Sequence, residues 1–151
     1  MKTALSIIGI VFLVLLFLLA CAVGVFIYVG TSLDASSKAY VDESVPAIVT
    51  TWSQEEMTKR ESDQFRRATG DDQLTRLFTR FRELGALQKY EGSKGDANIS
   101  FTPNNGLMVT GSYLANATFQ NGKAEIRINV IRVGDTWKIY GFRIESPLFL
   151  K

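Results

Sequence analysis

Tyr90, Tyr113 and Arg132 come closest, by residue type and by strand position, to side chains that could do chemistry. A tyrosine or carboxylate held in an apolar pocket has its pKa raised by burial and can act as a general acid or base. These three are candidates for lining such a cavity. The competing reading packs Tyr113 in the core with its hydroxyl at the rim and lets Arg132 snorkel from the end of the sheet. Against catalysis stands the rest of the sequence. Histidine, the commonest general base near neutral pH and a common zinc ligand, is absent from all 151 residues. The only cysteine, Cys21, lies inside an apolar run. The sequence therefore offers no disulfide framework, no Cys/His metal cluster and no Cys-His nucleophile pair. It has no Gly-x-Gly-x-x-Gly and no P-loop, and Asp71-Asp72 reads as charge placed in the first turn of a helix. No catalytic, cofactor-binding or metal-binding residue is assigned, no cofactor is expected, and the chain reads as a non-enzyme. A net charge of +2 gives no field suited to nucleic acid, so none is expected as a partner.

The elements that position these residues follow an apolar N-terminus. Between Lys2 and Asp34 there is no charged residue, and residues 4–30 are mostly aliphatic or aromatic. As a helix they would reach about 40 Å, enough to cross hydrocarbon. The run continues past Ala20, where a cleaved signal peptide would end. Leu18-Leu19-Ala20-Cys21 also resembles a bacterial lipobox, and acylation at Cys21 is the alternative to an uncleaved span. Eight or nine apolar residues follow Cys21 where a lipoprotein has a polar tether, so an anchor in the lipid bilayer is expected over residues 1–32. Lys2 and the terminal amine precede it, and Asp34, Lys38, Asp42 and Glu43 follow. The positive-inside rule then puts the N-terminus in the cytoplasm and the domain periplasmic or extracellular.

Residues 33–44 read as a stalk or a helix extension, with a helix starting at Ser44 and Pro46. Val45, Ile48, Val49 and Trp52 keep one apolar face. Ser53-Gln-Glu-Glu56 has the form of a capping box, with Met57 and Phe65 as core contacts of the helix it opens. Leu74, Leu77, Phe78, Phe81 and Leu84 form the stripe of a helix over 71–84, stopped by Gly85.

After Gly85 the period becomes alternating. Strands are expected over 87–91, 97–102, 107–119, 124–133 and 136–144, with a turn cluster at 103–106. Asn121-Gly122 as a type I′ turn pairs Phe119 with Ala124, Ala117 with Ile126, Ala115 with Ile128 and Tyr113 with Val130. Gly134-Asp135 pairs Arg132 with Trp137, Val130 with Ile139 and Ile128 with Gly141. Both registers put Ile126, Ile128 and Val130 on one apolar face. The other face then carries Leu114, Arg127, Ile131, Tyr140, Phe142 and Ile144, a candidate partner surface. The tail 147–151 folding back over it, a homodimer or membrane-complex partner, and plain exposure are the alternatives.

The order of helices and meander, the Trp52 helix end, the Leu-Gly-Ala-Leu-x-x-Tyr-x-Gly passage (84–92) and the Gly-Asp-Thr-Trp-Lys-Ile-Tyr-Gly-Phe run (134–142) resemble the nuclear-transport-factor-2-like, or cystatin-like, α+β roll. The last of these runs also resembles the final hairpin of membrane-anchored or secreted bacterial members, many of them of unknown function. The resemblance implies an α+β domain over 45–146, with two or three helices on a curved antiparallel sheet of four or five strands. It also implies a bacterial inner-membrane location. Its motifs concern packing and turns, so they imply little chemistry. A non-catalytic binding or assembly module is expected; the alternative is a small-ligand carrier or enzyme using the cavity of the roll.

Overall fold

The computed structural model describes residues 2–104 and 106–150, with side chains from residue 7 onward. The terminal amine and the Lys2 side chain used for orientation, Asn105 of the turn cluster and Lys151 of the tail lie outside the described residues. The chain divides into two compact units, Met1–Leu33 and Asp34–Lys151.

The first unit is helical, within α1 (Lys2–Thr51). Its apolar side chains point outward: Phe17 is 70% and Phe26 79% exposed. Among the described residues, one helix is long and apolar enough to cross a membrane by length and composition. Thr31 hides its hydroxyl by donating to the carbonyls of Ile27 (3.1 Å) and Tyr28 (3.0 Å).

The second unit is α+β. The α1 residues from Asp34 onward bury Val41, Val45, Ile48 and Val49, with small Ser37 and Ser44 on the same side. The helix expected to begin at Ser44 and Pro46 is instead continuous through Pro46. An internal proline costs about 3 kcal/mol. Burial of four aliphatic side chains around it, each contributing about 1.5–3 kcal/mol, outweighs that cost. Trp52 ends α1 with φ 47°, the one positive φ outside glycine among the described residues. Its indole N–H donates to the Gly85 carbonyl at 3.0 Å, and its ring packs on Phe81 and Phe119. These contacts hold a conformation that a bulky residue otherwise avoids.

Ser53 caps α2 (Gln54–Arg60), accepting from the Glu56 N–H, as the capping-box pattern expects. The run does not continue as one helix to Phe65. It breaks at Glu61-Ser62, where the Ser62 N–H donates to the Ile139 carbonyl at 2.8 Å, and Ser62 caps α3 (Asp63–Thr69). Met57 and Phe65 are both buried. In α4 (Asp71–Phe81) and the 3-10 turn Arg82–Leu84, the expected stripe buries Leu74, Phe78, Phe81 and Leu84. Gly85 stops it at φ 77°.

The sheet is a four-stranded antiparallel meander in the order β1 (Leu87–Thr102), β2 (Gly106–Phe119), β3 (Gly122–Val133), β4 (Thr136–Glu145). The two strands expected over 87–91 and 97–102 are one long β1, irregular between Tyr90 and Ser93. Gly95 is required there, because a Cβ would meet the Ser112 carbonyl oxygen at 2.0 Å.

Two registers differ from expectation. In β2–β3, Phe119 pairs with Gly122, Ala117 with Ala124, Ala115 with Ile126 and Tyr113 with Ile128. The turn is Gln120-Asn121, without positive φ, so Asn121-Gly122 does not form a type I′ turn. Both turn N–H groups donate outside the hairpin, Gln120 to the Ala86 carbonyl and Asn121 to that of Leu84. Docking onto the end of the helical layer selects this turn. The slip is two residues, which keeps every side chain on its expected face. In β3–β4, Arg132–Trp137 and Val130–Ile139 pair as expected, but a bulge follows: Ile128 meets Phe142, not Gly141, and Ile126 meets Ile144. That extra residue reverses the facing of β4 beyond Tyr140. The core joins Tyr113, Ala115, Ala117 and Phe119 of β2, Ile126, Ile128 and Val130 of β3, and Trp137, Ile139 and Ile144 of β4.

Candidate functional site

Tyr90 and Tyr113 face α1, and their hydroxyls are used there. Tyr113 is 4% exposed, and its Oη lies 2.6 Å from Ser37 Oγ. Tyr90 Oη donates to Asp42 Oδ1 at 2.8 Å, and the Ser93 N–H donates to the same oxygen at 2.8 Å. Asp34 Oδ1 accepts from the Ala97 N–H at 2.6 Å, and Trp137 Nε1 donates to Ser36 Oγ at 3.2 Å. Two aspartates about two turns apart on one face of α1 thus pin it along β1. Burial works against the Asp42 carboxylate, but hydrogen bonds from Lys38, Ser93 and Tyr90 hold its pKa below the ordinary value. Burial, reinforced by the bond to Asp42, pushes the Tyr90 phenol well up, and burial raises Tyr113 as well. Both phenols stay protonated at neutral pH and act as hydrogen-bonded packing groups. Arg132 is exposed at the end of β3, 3.5 Å from Asp135. The structure therefore does not gather Tyr90, Tyr113 and Arg132 around one cavity.

The candidate partner surface is also divided. By register Leu114, Arg127, Ile131 and Tyr140 share the far face of the sheet, and Leu114 pairs directly with Arg127. Of these Ile131 is buried and Tyr140 is 43% exposed. The bulge moves Phe142 and Ile144 to the face that α4 covers, where the Phe142 ring meets Phe81 at 6.5 Å. The tail does not cover the far face either. Its 3-10 turn, Pro147–Leu150, places Phe149 6.1 Å from the Phe81 ring.

What the bulge and the tail create together is an open groove of about 680 Å³ between α4, β4 and the tail. Leu77, Phe81, Phe142, Ile144 and Phe149 give it apolar walls, and Arg80, Arg143, Glu125 and Glu145 stand around it. Glu125 is held by Arg127 at 2.8 Å, and Glu145 by Arg143 at 3.0 Å. Arg80 has no carboxylate partner among the described residues. Its guanidinium lies 5.1 Å over the Phe149 ring and donates to the Phe149 carbonyl at 2.8 Å. The groove offers apolar contact with one uncompensated cation at its edge. Sequence reasoning reached Phe142 and Ile144 with the wrong face, and did not place Arg80 or Phe149 beside them. The signals available were Gly141 beside Tyr140, marking a bulge, and an aromatic residue in an otherwise short tail.

No protein-family model, no curated protein and no solved structure matches this chain.

Proposed function

We propose that this chain is a single-pass, membrane-anchored binding or assembly module without catalytic activity, whose folded domain lies outside the cytoplasm of a bacterial cell. The observation that carries the reading is the open apolar groove beside α4, in a domain that follows a charge-free stretch over residues 3–33. Its size suits a short apolar segment of a neighbouring membrane protein. Tethering raises the effective concentration of such a neighbour, so a modest contact area suffices. The carboxylates at the groove are paired with arginines, which suits recognition better than proton transfer. Helices on one face of a bent antiparallel meander support the nuclear-transport-factor-2-like roll as its fold family.

Photo-crosslinking in native membranes tests this. A photoreactive residue at Leu77 or Arg143 should trap a discrete protein partner, and one at Lys89, remote in sequence from the groove, should not. Equal labelling at all three positions would sink the proposal. A second reading, a carrier of a small amphiphile, draws on the same groove volume and on Arg80 as the cation for an acidic head. It predicts a co-purifying small molecule lost on Arg80→Ala.

A further inference from the structure

One end of the sheet carries a second feature suited to lipid. β1 and β2 run on beyond β3: the last β2–β3 pair is Thr110–Ile131, while β1–β2 pairing continues through Ile99–Val109 and Phe101–Leu107 to Thr102–Gly106. This overhang is a two-stranded ribbon, marginal in water without support. Its Phe101 is 73%, Leu107 70% and Ile99 45% exposed. The direct cross-strand pairing puts these three on one face with Val109. No Lys, Arg, Asp or Glu occurs from residue 97 to residue 122. A solvent-facing strand tip normally carries such charges as protection against association.

Chain connectivity says which end of the domain this is, whatever the angle between the two units. Within the second unit α1 runs antiparallel to β1, with Asp42 at Ser93 and Asp34 at Ala97. Asp34 is the first charged residue after the apolar run that ends at Gly30. Four residues can span at most about 14 Å, so Asp34 stays within that reach of the end of the apolar run, and Ala97 lies one side chain and one hydrogen bond beyond it. From Ala97 the ribbon continues away from the rest of β1, and four residues of strand to Phe101 add about 13 Å.

Resting on the reading of residues 4–30 as a retained span, we propose that the β1–β2 tip is a second membrane contact, with Phe101, Leu107 and Ile99 seated in the interfacial region of the bilayer. The lipid interface is the occupant because the apolar tip is uncharged and lies at the attachment end of the domain. The surface there accepts aromatic and aliphatic side chains while leaving the polar turn, Pro103-Asn104, in the headgroups.

The test uses the full chain in phosphatidylcholine/phosphatidylglycerol vesicles, in a Cys21→Ser background, with an environment-sensitive fluorophore on Asn104→Cys or, as control, on Lys89→Cys. Nitroxide on the lipid acyl chain should quench the probe at 104 at least ~2 times more than at 89, with a blue-shifted emission at 104. The double change Phe101→Asp, Leu107→Asp should bring quenching at 104 down to the control, with the near-ultraviolet signal of Trp52 and Trp137 unchanged. Equal quenching at 104 and 89 while the chain resists alkaline extraction overturns the tip contact and leaves the anchor standing. Release by alkaline extraction overturns the anchor itself. Self-quenching at 104 that rises with protein density, without quenching by lipid, assigns the tip to a second copy and overturns the proposal.

Discussion

Replacing Asp42 should loosen the clamp between α1 and β1, by an amount that depends on pH. Asp42 Oδ1 accepts from Tyr90 Oη and from the Ser93 N–H, each at 2.8 Å, and Asp42 also pairs with Lys38. Hydrogen bonds to a charged group contribute about 1.5–3 kcal/mol each. The Asp42 side chain is 28% exposed, and the Lys38 pair is largely solvated, so solvent screening reduces the sum. Asp42→Ala should cost about 2–3 kcal/mol, roughly 8–12 °C in Tm for a domain of this size. Asp42→Asn keeps one acceptor and should cost about 1 kcal/mol. The folded pKa of Asp42 is depressed, so its contribution is fully present above the unfolded value of about 4 and is lost as pH falls through the folded value. The gap between wild type and Asp42→Asn should therefore be constant from neutral pH to about pH 5 and narrow below about pH 4. Denaturant titration of the full chain in detergent, followed by fluorescence of the buried Trp52 and Trp137, measures both effects. A neutral-pH cost of Asp42→Ala below about 0.5 kcal/mol, or an Asp42→Asn gap that does not change with pH, would refute the clamp. Additivity of Tyr90→Phe with Asp42→Ala would refute the Tyr90–Asp42 bond specifically.

Ile128 is fully buried at the centre of the sheet; Ile128→Ala should cost about 2–5 kcal/mol in the same titration. Deleting Tyr140 removes the bulged residue and leaves a regular ladder, with Ile139 opposite Val130, Gly141 opposite Asn129 and Phe142 and Ile144 still facing α4. It should cost less than about 2 kcal/mol in the same titration without raising the binding of a dye for apolar surface; strong dye binding would refute the placement of the bulge at Tyr140. Arg80→Ala removes the bond to the Phe149 carbonyl and the contact with its ring. Amide exchange over residues 148–150 should speed up, with β3 unchanged. If Cys21 is an ordinary helix residue, Cys21→Ser should leave both electrophoretic mobility and membrane retention as they are.

Several features of the fold were legible because their causes are local. The absence of charge between Lys2 and Asp34, the Leu74–Leu84 stripe ended by Gly85, and Ser53 capping three residues before Glu56 each depend on neighbours within a turn or two. The facing of Ile126, Ile128 and Val130 was legible for a similar reason, since alternation survives a two-residue slip. The groove was not legible, because it hangs on the bulge at Tyr140, and period-two reasoning carried through that residue puts Phe142 and Ile144 on the wrong face.

By itself the sequence determined an apolar helical N-terminus, an α+β domain and the membership of most of its core. These follow from composition and periodicity, which act through short-range sterics and burial. Tertiary structure alone decided that α1 runs unbroken through Pro46, that the 120–121 turn docks on the carbonyls of Leu84 and Ala86, and that α3 starts where Ser62 meets β4. It also decided that the tail closes one side of a groove. Each of these outcomes balances a local preference of a few kcal/mol against contacts between residues far apart in the chain, which only the assembled fold supplies.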